Sequence, residues 1–328
     1  MKKLLPIWLL AVLLTVTTFT TSGCSNKENN IVIYSSSDQV RNAMYMEMLT
    51  EKFPDYEIDI MYMTNGVQAS RLLAEGNNTT ADISISLEIS YLLQLGDLLK
   101  DLSELDFDIS NILPELLDSN NKYLPWEIFN GVIAINEDLL NELGIPVPTT
   151  YDELLHPRYQ GLISMANPQS SSAGHIFVIY FVERMGEDQA FAFFNELALN
   201  INQFHSSGSG VTTSLLNEDI AIGFTWLHNA INEIERGANI SLSFLDEYSP
   251  SSMGGIALTA NGSQKSAAVE VFEYLINEVS LVDKQLYSPG KVFINQISKN
   301  THYPSDIQHK FCIIDPERRE QLLDRWSH

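Results

Sequence analysis

Residues 131–174, GVIAINEDLLNELGIPVPTTYDELLHPRYQGLISMANPQSSSAG, contain two strand-to-helix transitions in succession. The apolar start of residues 131–140 predicts a buried strand that leads into a helix, and residues 161–168 predict a second strand. Residues 173–186 then have the apolar content of a buried helix. Strands and helices that alternate in this way predict a parallel sheet with right-handed crossovers, so we expect an α/β fold.

Three consecutive serines, Ser170, Ser171 and Ser172, stand at the second of these transitions. One serine hydroxyl is enough to accept a hydrogen bond from the free N–H groups of a first helical turn. A helix N-terminus also carries roughly half a positive charge and unpaired donors, so it can hold an anion. The serine run therefore predicts either simple capping of the helix or a site for the oxygens of an anionic ligand.

Three other loops between a strand and a helix have the same hydroxyl-, amide- or glycine-rich character: YSSSD (34–38), TNG (64–66) and HSSGSG (205–210). Ligands of α/β sheets bind outside the carboxyl ends of the strands, where such loops meet. Capping and turn formation explain any one of the loops alone. Taken together, the four loops predict a cleft that binds an oxyanion through uncharged donors.

The rest of the chain continues the α/β pattern, and its length of 328 residues is sufficient for two lobes. Further predicted strands are 31–34, 56–63, 81–87, 219–226, 240–245 and 254–259. The predicted closing helices are 266–279 and 316–326. These elements are too many for one small sheet, so we expect two.

The N-terminus, MKKLLPIWLLAVLLTVTTFTTSGC, predicts a secretory signal over residues 1–23. Thr21 to Cys24 resemble a bacterial lipobox, in which the cysteine is lipidated and becomes the first residue. We therefore expect Cys24 to anchor the protein on the extracytoplasmic face of the cell membrane, with residues 24–30 as anchor and tether. Ordinary signal cleavage, which leaves Cys24 a free thiol, is the alternative. The second cysteine, Cys312, is then expected to be a buried apolar residue.

The formal net charge of −23 argues against the basic surface that binding to nucleic acids or anionic lipids requires. The chain has no G-x-S-x-G, H-E-x-x-H, C-x-x-C or P-loop sequence, and its carboxylates do not have the spacing of a metal site. His205 next to Ser206 is poorly placed for a hydrolytic pair. We therefore expect no catalysis, no cofactor and no metal, and keep a secreted hydrolase of phosphate esters as the alternative from another class.

Three segments resemble the substrate-binding lipoproteins of ABC importers, in the group that binds ferric iron, phosphonates and sugar phosphates: IVIYSSSD (31–38), residues 131–174, and DEYSPSSMGGIALTANGSQKSAAVEVFEYLIN (246–277). The resemblance implies a two-lobed type II periplasmic-binding-protein fold with two hinge strands. It places lobe 1 at residues 31–125 plus 246–328 and lobe 2 at residues 126–245. It also implies a small-molecule ligand, an ABC permease as partner, and a monomer.

The resemblance also bears on the ligand. Ferric binders of this group have adjacent tyrosines near the strand at 219–226, where this chain has AIGFTWLHNA (221–230) without tyrosine. Residues 205–224, HSSGSGVTTSLLNEDIAIGF, resemble the corresponding segment of phosphonate and phosphorylated-sugar binders. This favours an oxyanion ligand, with ferric iron or an iron chelate as the alternative.

The expected ligand contacts come from all four loops and from two possible cleft walls. Trp226 is either a wall or core, and Tyr34 points either into the sheet or at the ligand. The full set is Tyr34, Ser35, Ser36, Ser37, Asp38, Asn65, Gly66, Ser170, Ser171, Ser172, His205, Ser207, Ser209, Trp226 and Tyr248.

Overall fold

The structure is a computed structural model that describes residues 27–105, 108–287, 290–297, 299, 301–304 and 306–328. The predicted signal peptide and Cys24 lie outside these described residues. Within them, no helix combines the length and the apolar character needed to cross a membrane.

The first part of the chain alternates strands with helices, as the sequence predicts. Its elements are β1 (Asn30–Ser35), α1 (Gln39–Lys52), β2 (Glu57–Tyr62), α2 (Asn65–Glu75), β3 (Ile83–Glu88) and α3 (Ile89–Leu95). β1 lies between β2 and β3 and pairs with both in parallel.

The middle part begins with a long strand and builds a second set of parallel strands. Its elements are β4 (Leu124–Ile135), α4 (Glu137–Glu142), β5 (Ile163–Ala166), α5 (Ser172–Met185), α6 (Glu187–Leu197), β6 (Ile201–His205), α7 (Gly208–Leu216), β7 (Ile222–Trp226), α8 (Leu227–Glu235) and β8 (Ser241–Ser243). β5 pairs in parallel with β6 and with β7, whereas β4 pairs with β7 in antiparallel fashion.

The last part returns to the first set of strands and then leaves it again. Its elements are β9 (Tyr248–Leu258), α9 (Ser266–Tyr274), α10 (Ser280–Leu286), β10 (Gln308–Phe311) and α11 (Pro316–Arg325). The predicted helix 266–279 is interrupted by a π-helical turn at Leu275–Val279 before α10. The strand predicted at the start of residues 131–140 and the strand predicted at residues 254–259 correspond to the second halves of longer strands, which begin at Leu124 and Tyr248.

β4 and β9 are the two strands that join the lobes. The strand order is β2-β1-β3-β9-β4-β7-β5-β6, with β10 beside β9 and β8 beside β4. The first half of β4 pairs with β9, from Leu124 with Ile256 to Asn130 with Ser251, and its second half pairs with β7. A hydrogen-bonded antiparallel pair therefore forms the hinge, as the sequence resemblance implied.

Each lobe has its own hydrophobic core. One core contains Ile33, Ile85, Trp126 and Phe272, and the other contains Ile163, Phe177 and Phe224. The chain passes from the first core to the second within β4, between Ile128 and Val132.

The C-terminal residues pack in a different lobe from the one that the sequence boundaries assigned. The sequence resemblance places residues 246–328 in lobe 1, but Cys312, Leu322 and Trp326 lie in the core of lobe 2. The Trp326 ring centroid is 5.3 Å from that of Phe194 and 5.6 Å from that of Phe204. α11 has few apolar side chains, and lobe 2 buries them, so the chain crosses between the lobes a third time.

A buried cluster of four charges ties the hinge to the helices of lobe 1. The Arg41 guanidinium of α1 donates to both carboxylate oxygens of Asp283 in α10, at 2.8 and 2.9 Å, and to Glu127 of β4 at 2.5 Å. The Lys284 ammonium lies 2.8 Å from the Asp283 carboxylate. Burial alone would raise the pKa of Asp283, but Arg41 and Lys284 hold it well below its usual value. The formal charges of the two cations and two anions balance, while burial raises the pKa of Glu127 and lowers that of Lys284.

Candidate functional site

A cleft of about 600 Å³ lies between the lobes, at the carboxyl ends of the strands. Each of the four polar loops contributes to its lining. The lining residues from these loops are Ser36, Thr64, Asn65, Gly66, Gln169, Ser170, Ser171, Ser172, Ser206 and Ser207. The turns that the sequence singled out therefore converge on one crevice.

The lobe 1 wall is held in place by side-chain hydrogen bonds behind it. The Ser36 hydroxyl donates to the Gln68 side-chain carbonyl, and the Gln68 amide donates to the Tyr34 carbonyl at 3.1 Å. Asn65 accepts a hydrogen bond at 2.6 Å from the backbone N–H of Glu88. Because these bonds link α2 to the ends of β1 and β3, the N-terminus of α2 is fixed at the cleft.

Glu88 gives this wall its carboxylate. It sits where β3 ends and α3 begins, and it accepts hydrogen bonds from Ser252 of β9 at 2.6 Å and from Ser90. The two hydroxyls hold the carboxylate without neutralising it. Glu88 is thus positioned to accept hydrogen bonds from hydroxyl or ammonium groups of a ligand.

The lobe 2 wall is built on the N-termini of α5 and α7. Ser171 caps α5 by accepting from the Ala173 N–H at 3.3 Å, and Ser207 caps α7 by accepting from the Gly210 N–H at 3.2 Å. A Cβ on Gly174 would lie 2.0 Å from the Ala166 carbonyl oxygen, so only glycine permits this contact between α5 and the end of β5. The contact directs the positive end of α5 towards the cleft.

His175, one turn into α5, lines the cleft although only 2% of its surface is exposed. Its Nε2 atom has no hydrogen-bond partner among the residues that the structure describes. Burial, together with the positive charge of Arg319, lowers the pKa of His175 to about 3. The imidazole is therefore neutral at physiological pH and has one ring nitrogen available to a ligand.

Aromatic rings and a second histidine also line the cleft. Trp226 ends β7, is 8% exposed, and has its ring centroid 5.7 Å from that of Phe129 on β4. His228 follows on α8, and its pKa is lowered to about 4. Burial is the main cause, the positive charge of Arg41 acts in the same direction, and the Asp38 carboxylate acts in the opposite direction. Trp226 is thus both a core residue and a cleft wall, the two alternatives that the sequence left open.

Seven of the predicted contacts do not line the cleft. The Tyr34 hydroxyl is bonded to Thr80 at 2.9 Å and to Glu75, Ser35 donates to Asn42 at 2.7 Å, and Asp38 caps α1 by accepting from the Arg41 N–H at 2.9 Å. Of the other four, Ser37 is buried and Tyr248 is exposed at the start of β9. The His205 ring is hydrogen-bonded to Ser214, and the Ser209 hydroxyl is hydrogen-bonded to Ser207. A ligand role for each of these residues stays a prediction.

Several lining residues were not predicted from the sequence. They include Tyr62, Glu88, Ser90, Tyr91, Phe129, His175, His228, Ser252, Cys312 and Arg319. Glu88 had a usable signal, because it directly follows a predicted strand. In the described part of the chain, no group of three or more His, Cys, Asp or Glu side chains is arranged to hold a metal ion.

Comparison with solved structures defines the class of the fold as a two-lobed type II periplasmic binding protein. The periplasmic binding protein AfuA from Actinobacillus pleuropneumoniae, solved with fructose 6-phosphate, has a TM-score of 0.72 and 22% identity, covering 90% of this chain and 97% of AfuA. Iron-bound HitA from Pseudomonas aeruginosa has a TM-score of 0.75 and 14% identity, covering 90% of this chain and 98% of HitA.

A match of the amino-acid sequence to a family model establishes the family of this protein. Residues 101–278 match the family described as bacterial extracellular solute-binding protein, and the chain belongs to that family. An uncharacterized protein of Haemophilus influenzae (strain ATCC 51907 / DSM 11121 / KW20 / Rd) is 26% identical over 246 residues, covering 72% of this chain and 70% of that protein. The protein is therefore an extracytoplasmic solute-binding component of an ABC importer.

Proposed function

We propose that this protein captures a small ligand with an oxyanion group, of the phosphonate or phosphorylated-sugar type, and delivers it to an ABC permease. One observation carries the proposal: the N-termini of α2, α5 and α7, from both lobes, line one cleft together with uncharged hydroxyl and amide groups. Helix N-termini and neutral donors bind anions without the cost of burying a counter-charge.

The shape of the cleft also supports this proposal. A volume of about 600 Å³ lies in the range of small-molecule sites and exceeds what one bare oxyanion needs. Glu88 adds an acceptor that fits the hydroxyl groups of a sugar or the ammonium of an aminophosphonate. The fold neighbour AfuA was solved with fructose 6-phosphate, a ligand of this chemistry.

The proposal includes a location and a mode of action. Acylation of Cys24 holds the protein on the extracytoplasmic face of the membrane as a monomer, and residues 24–30 act as a tether. Ligand contacts from both lobes exist together only when the cleft is closed, so binding shifts the lobes towards that state. The protein then acts without catalysis and without a cofactor.

Ferric iron is the second candidate, because two tyrosines, Tyr62 and Tyr91, line the cleft. The fold neighbour HitA was solved with iron. Both tyrosines belong to lobe 1, and a ferric site built on them would give a visible absorbance band from tyrosinate-to-iron charge transfer.

A thermal-shift screen tests the proposal with fructose 6-phosphate, 2-aminoethylphosphonate, unphosphorylated fructose and ferric citrate. A ligand that binds only the folded state at a concentration of 100 Kd stabilises it by about 2.7 kcal/mol, which raises Tm measurably. We expect a shift with a phosphorylated or phosphonate probe and none with fructose. A shift with ferric citrate alone would favour iron, and release of inorganic phosphate from the phosphate ester would favour a hydrolase.

A further inference from the structure

Arg319 is a cation in the cleft of a strongly acidic protein. Of the described residues that line the cleft, Glu88 is the acidic side chain and Arg319 the arginine, and the two do not form an ion pair with each other. Within the described chain, the Arg319 guanidinium has neither a hydrogen bond nor a carboxylate partner, and it lies 5.3 Å from the centroid of the Tyr91 ring. An unpaired, half-buried arginine leaves charge-assisted donors available to an anion.

The other arginines of the same helix differ from Arg319 in this respect. Arg318 and Arg325 each lie 2.5 Å from the Glu187 carboxylate, and Arg325 also pairs with Asp188 at 2.7 Å. The chain has 42 acidic and 19 basic side chains, so an arginine without a counter-ion is not explained by a shortage of carboxylates.

The position of α11 gives Arg319 contacts with both lobes. Ion pairs to Glu187 and the packing of Trp326 fix α11 to lobe 2, whereas Tyr91 belongs to α3 of lobe 1. Arg319 therefore extends from a helix of one lobe to a ring of the other, across the cleft. The planar guanidinium can stack on the ring and still donate in its own plane.

His175 is a second, independent sign of a ligand at this end of the cleft. Its Nε2 atom is buried, unpaired and next to the N-terminus of the 14-residue helix α5. Burying an unpaired polar atom is unfavourable unless a ligand or solvent completes its hydrogen bonding. Arg319, His175 and the first residue of α5 all line the cleft, and the charge of Arg319 acts on the His175 ring, whereas Glu88 gives the lobe 1 wall an acidic side chain.

We propose that Arg319 is a specificity-determining residue, which binds the charged group of the ligand, while Glu88 accepts hydrogen bonds from its hydroxyl or ammonium groups. This inference rests on the proposed function and adds to it a residue that distinguishes a phosphorylated ligand from its neutral counterpart. Because the Arg319 side chain contacts Tyr91 of α3, binding of the anion also links α11 to lobe 1.

Isothermal titration calorimetry on the wild type, Arg319→Gln and the matched control Arg318→Gln tests the inference. The probes are fructose 6-phosphate, glucose 6-phosphate, 2-aminoethylphosphonate and inorganic phosphate. Loss of a charge-assisted hydrogen bond is expected to weaken Arg319→Gln binding by roughly ten- to a hundredfold. Arg318→Gln removes a surface ion pair outside the cleft, and its affinity should stay within about threefold of the wild type.

Two further measurements separate recognition of charge from a purely structural role. Arg319→Lys keeps the charge but loses the planar fork, so its affinity should lie between those of the wild type and Arg319→Gln. The urea midpoint of Arg319→Gln should not fall below that of Arg318→Gln, since Arg319 has no hydrogen bond or ion pair within the described chain to lose, whereas Arg318→Gln loses the pair with Glu187.

The outcomes distinguish failure of the inference from failure of the proposed function. If the wild type binds one of the probes and Arg319→Gln binds it equally well, the inference is overturned and the proposed function stands. If the wild type binds none of the four probes, the proposed function and the inference are overturned together. An equal loss of affinity in Arg318→Gln would mean that docking of α11, and not the charge of Arg319, matters.

Discussion

Replacing Arg41 with methionine should strongly destabilise the protein, because it removes one of the two cations of the buried charge cluster. The side chains of Arg41, Glu127 and Asp283 are 7%, 4% and 0% exposed, so water cannot replace the lost interactions. The formal charge of the cluster changes from zero to −1 in a buried site. Breaking a buried ion pair from one side costs about 3–5 kcal/mol, and we expect a loss in that range.

Urea-induced unfolding, followed by far-ultraviolet circular dichroism, measures this loss as a change in the free energy of unfolding. The matched control is Arg71→Met, because Arg71 pairs with Glu75 at 2.7 Å with side chains 38% and 25% exposed. Surface pairs of this kind contribute less than about 1 kcal/mol. If Arg41→Met costs no more than Arg71→Met, the cluster does not stabilise the fold as argued. Adding Asp283→Asn to Arg41→Met should restore part of the loss, because it removes the excess negative charge.

Three more predictions concern the helices at the cleft. Folding lowers the pKa of His175 from 6.5 to about 3, so below about pH 6.5 the unfolded state binds a proton that the folded state does not. The free energy of unfolding is therefore highest above about pH 6.5 and decreases as the pH falls. His175→Gln should reduce this decrease in the free energy of unfolding between about pH 6.5 and about pH 4.5 by about 2–3 kcal/mol, measured by urea titration at each pH. An unchanged pH profile would contradict a buried neutral imidazole. Gly174→Ala places a Cβ 2.0 Å from the Ala166 oxygen, so it should displace α5 and lower the free energy of unfolding by about 1–3 kcal/mol. A urea midpoint equal to that of the wild type would refute this contact. Trp326→Ala should lower the free energy of unfolding by about 3–5 kcal/mol and make residues 316–325 accessible to proteases. If the variant resists proteolysis as well as the wild type does, other contacts hold α11 on lobe 2.

The convergence of the four polar loops on one cleft follows from the order of strands and helices. Ligand sites of such sheets lie at the strand ends, and the loops were identified by their position there. Which serine of each loop faces the cleft is decided by local geometry. In the first loop only Ser36 lines the cleft, because side chains alternate along an extended backbone and Ser35 and Ser37 point into the lobe. A run of hydroxyls identified the loop but not the contact.

The residues that carry the charge of the cleft could not be predicted in this way. The sequence predicted a helix at 316–326, but nothing local indicates that this helix docks on lobe 2, so Arg319 had no visible connection with the site. His175 lies within an apolar helix and shows its role only through the neighbours that bury it. The same reason explains the difference in the lobe boundary at the C-terminus. Trp326 contacts Phe194 and Phe204 through tertiary packing, which no local sequence pattern indicates.

The position of Trp226 gives the protein an intrinsic fluorescent reporter. Of its four tryptophans, Trp226 lines the cleft, Trp126 and Trp326 lie in the cores of lobe 1 and lobe 2, and Trp8 precedes the described residues. Its indole is 8% exposed and close to Phe129 and His228, so an occupied cleft changes the polarity and quenching around it. Emission from this single indole can therefore report occupancy in the unlabelled protein, with Trp226→Phe as the silent reference.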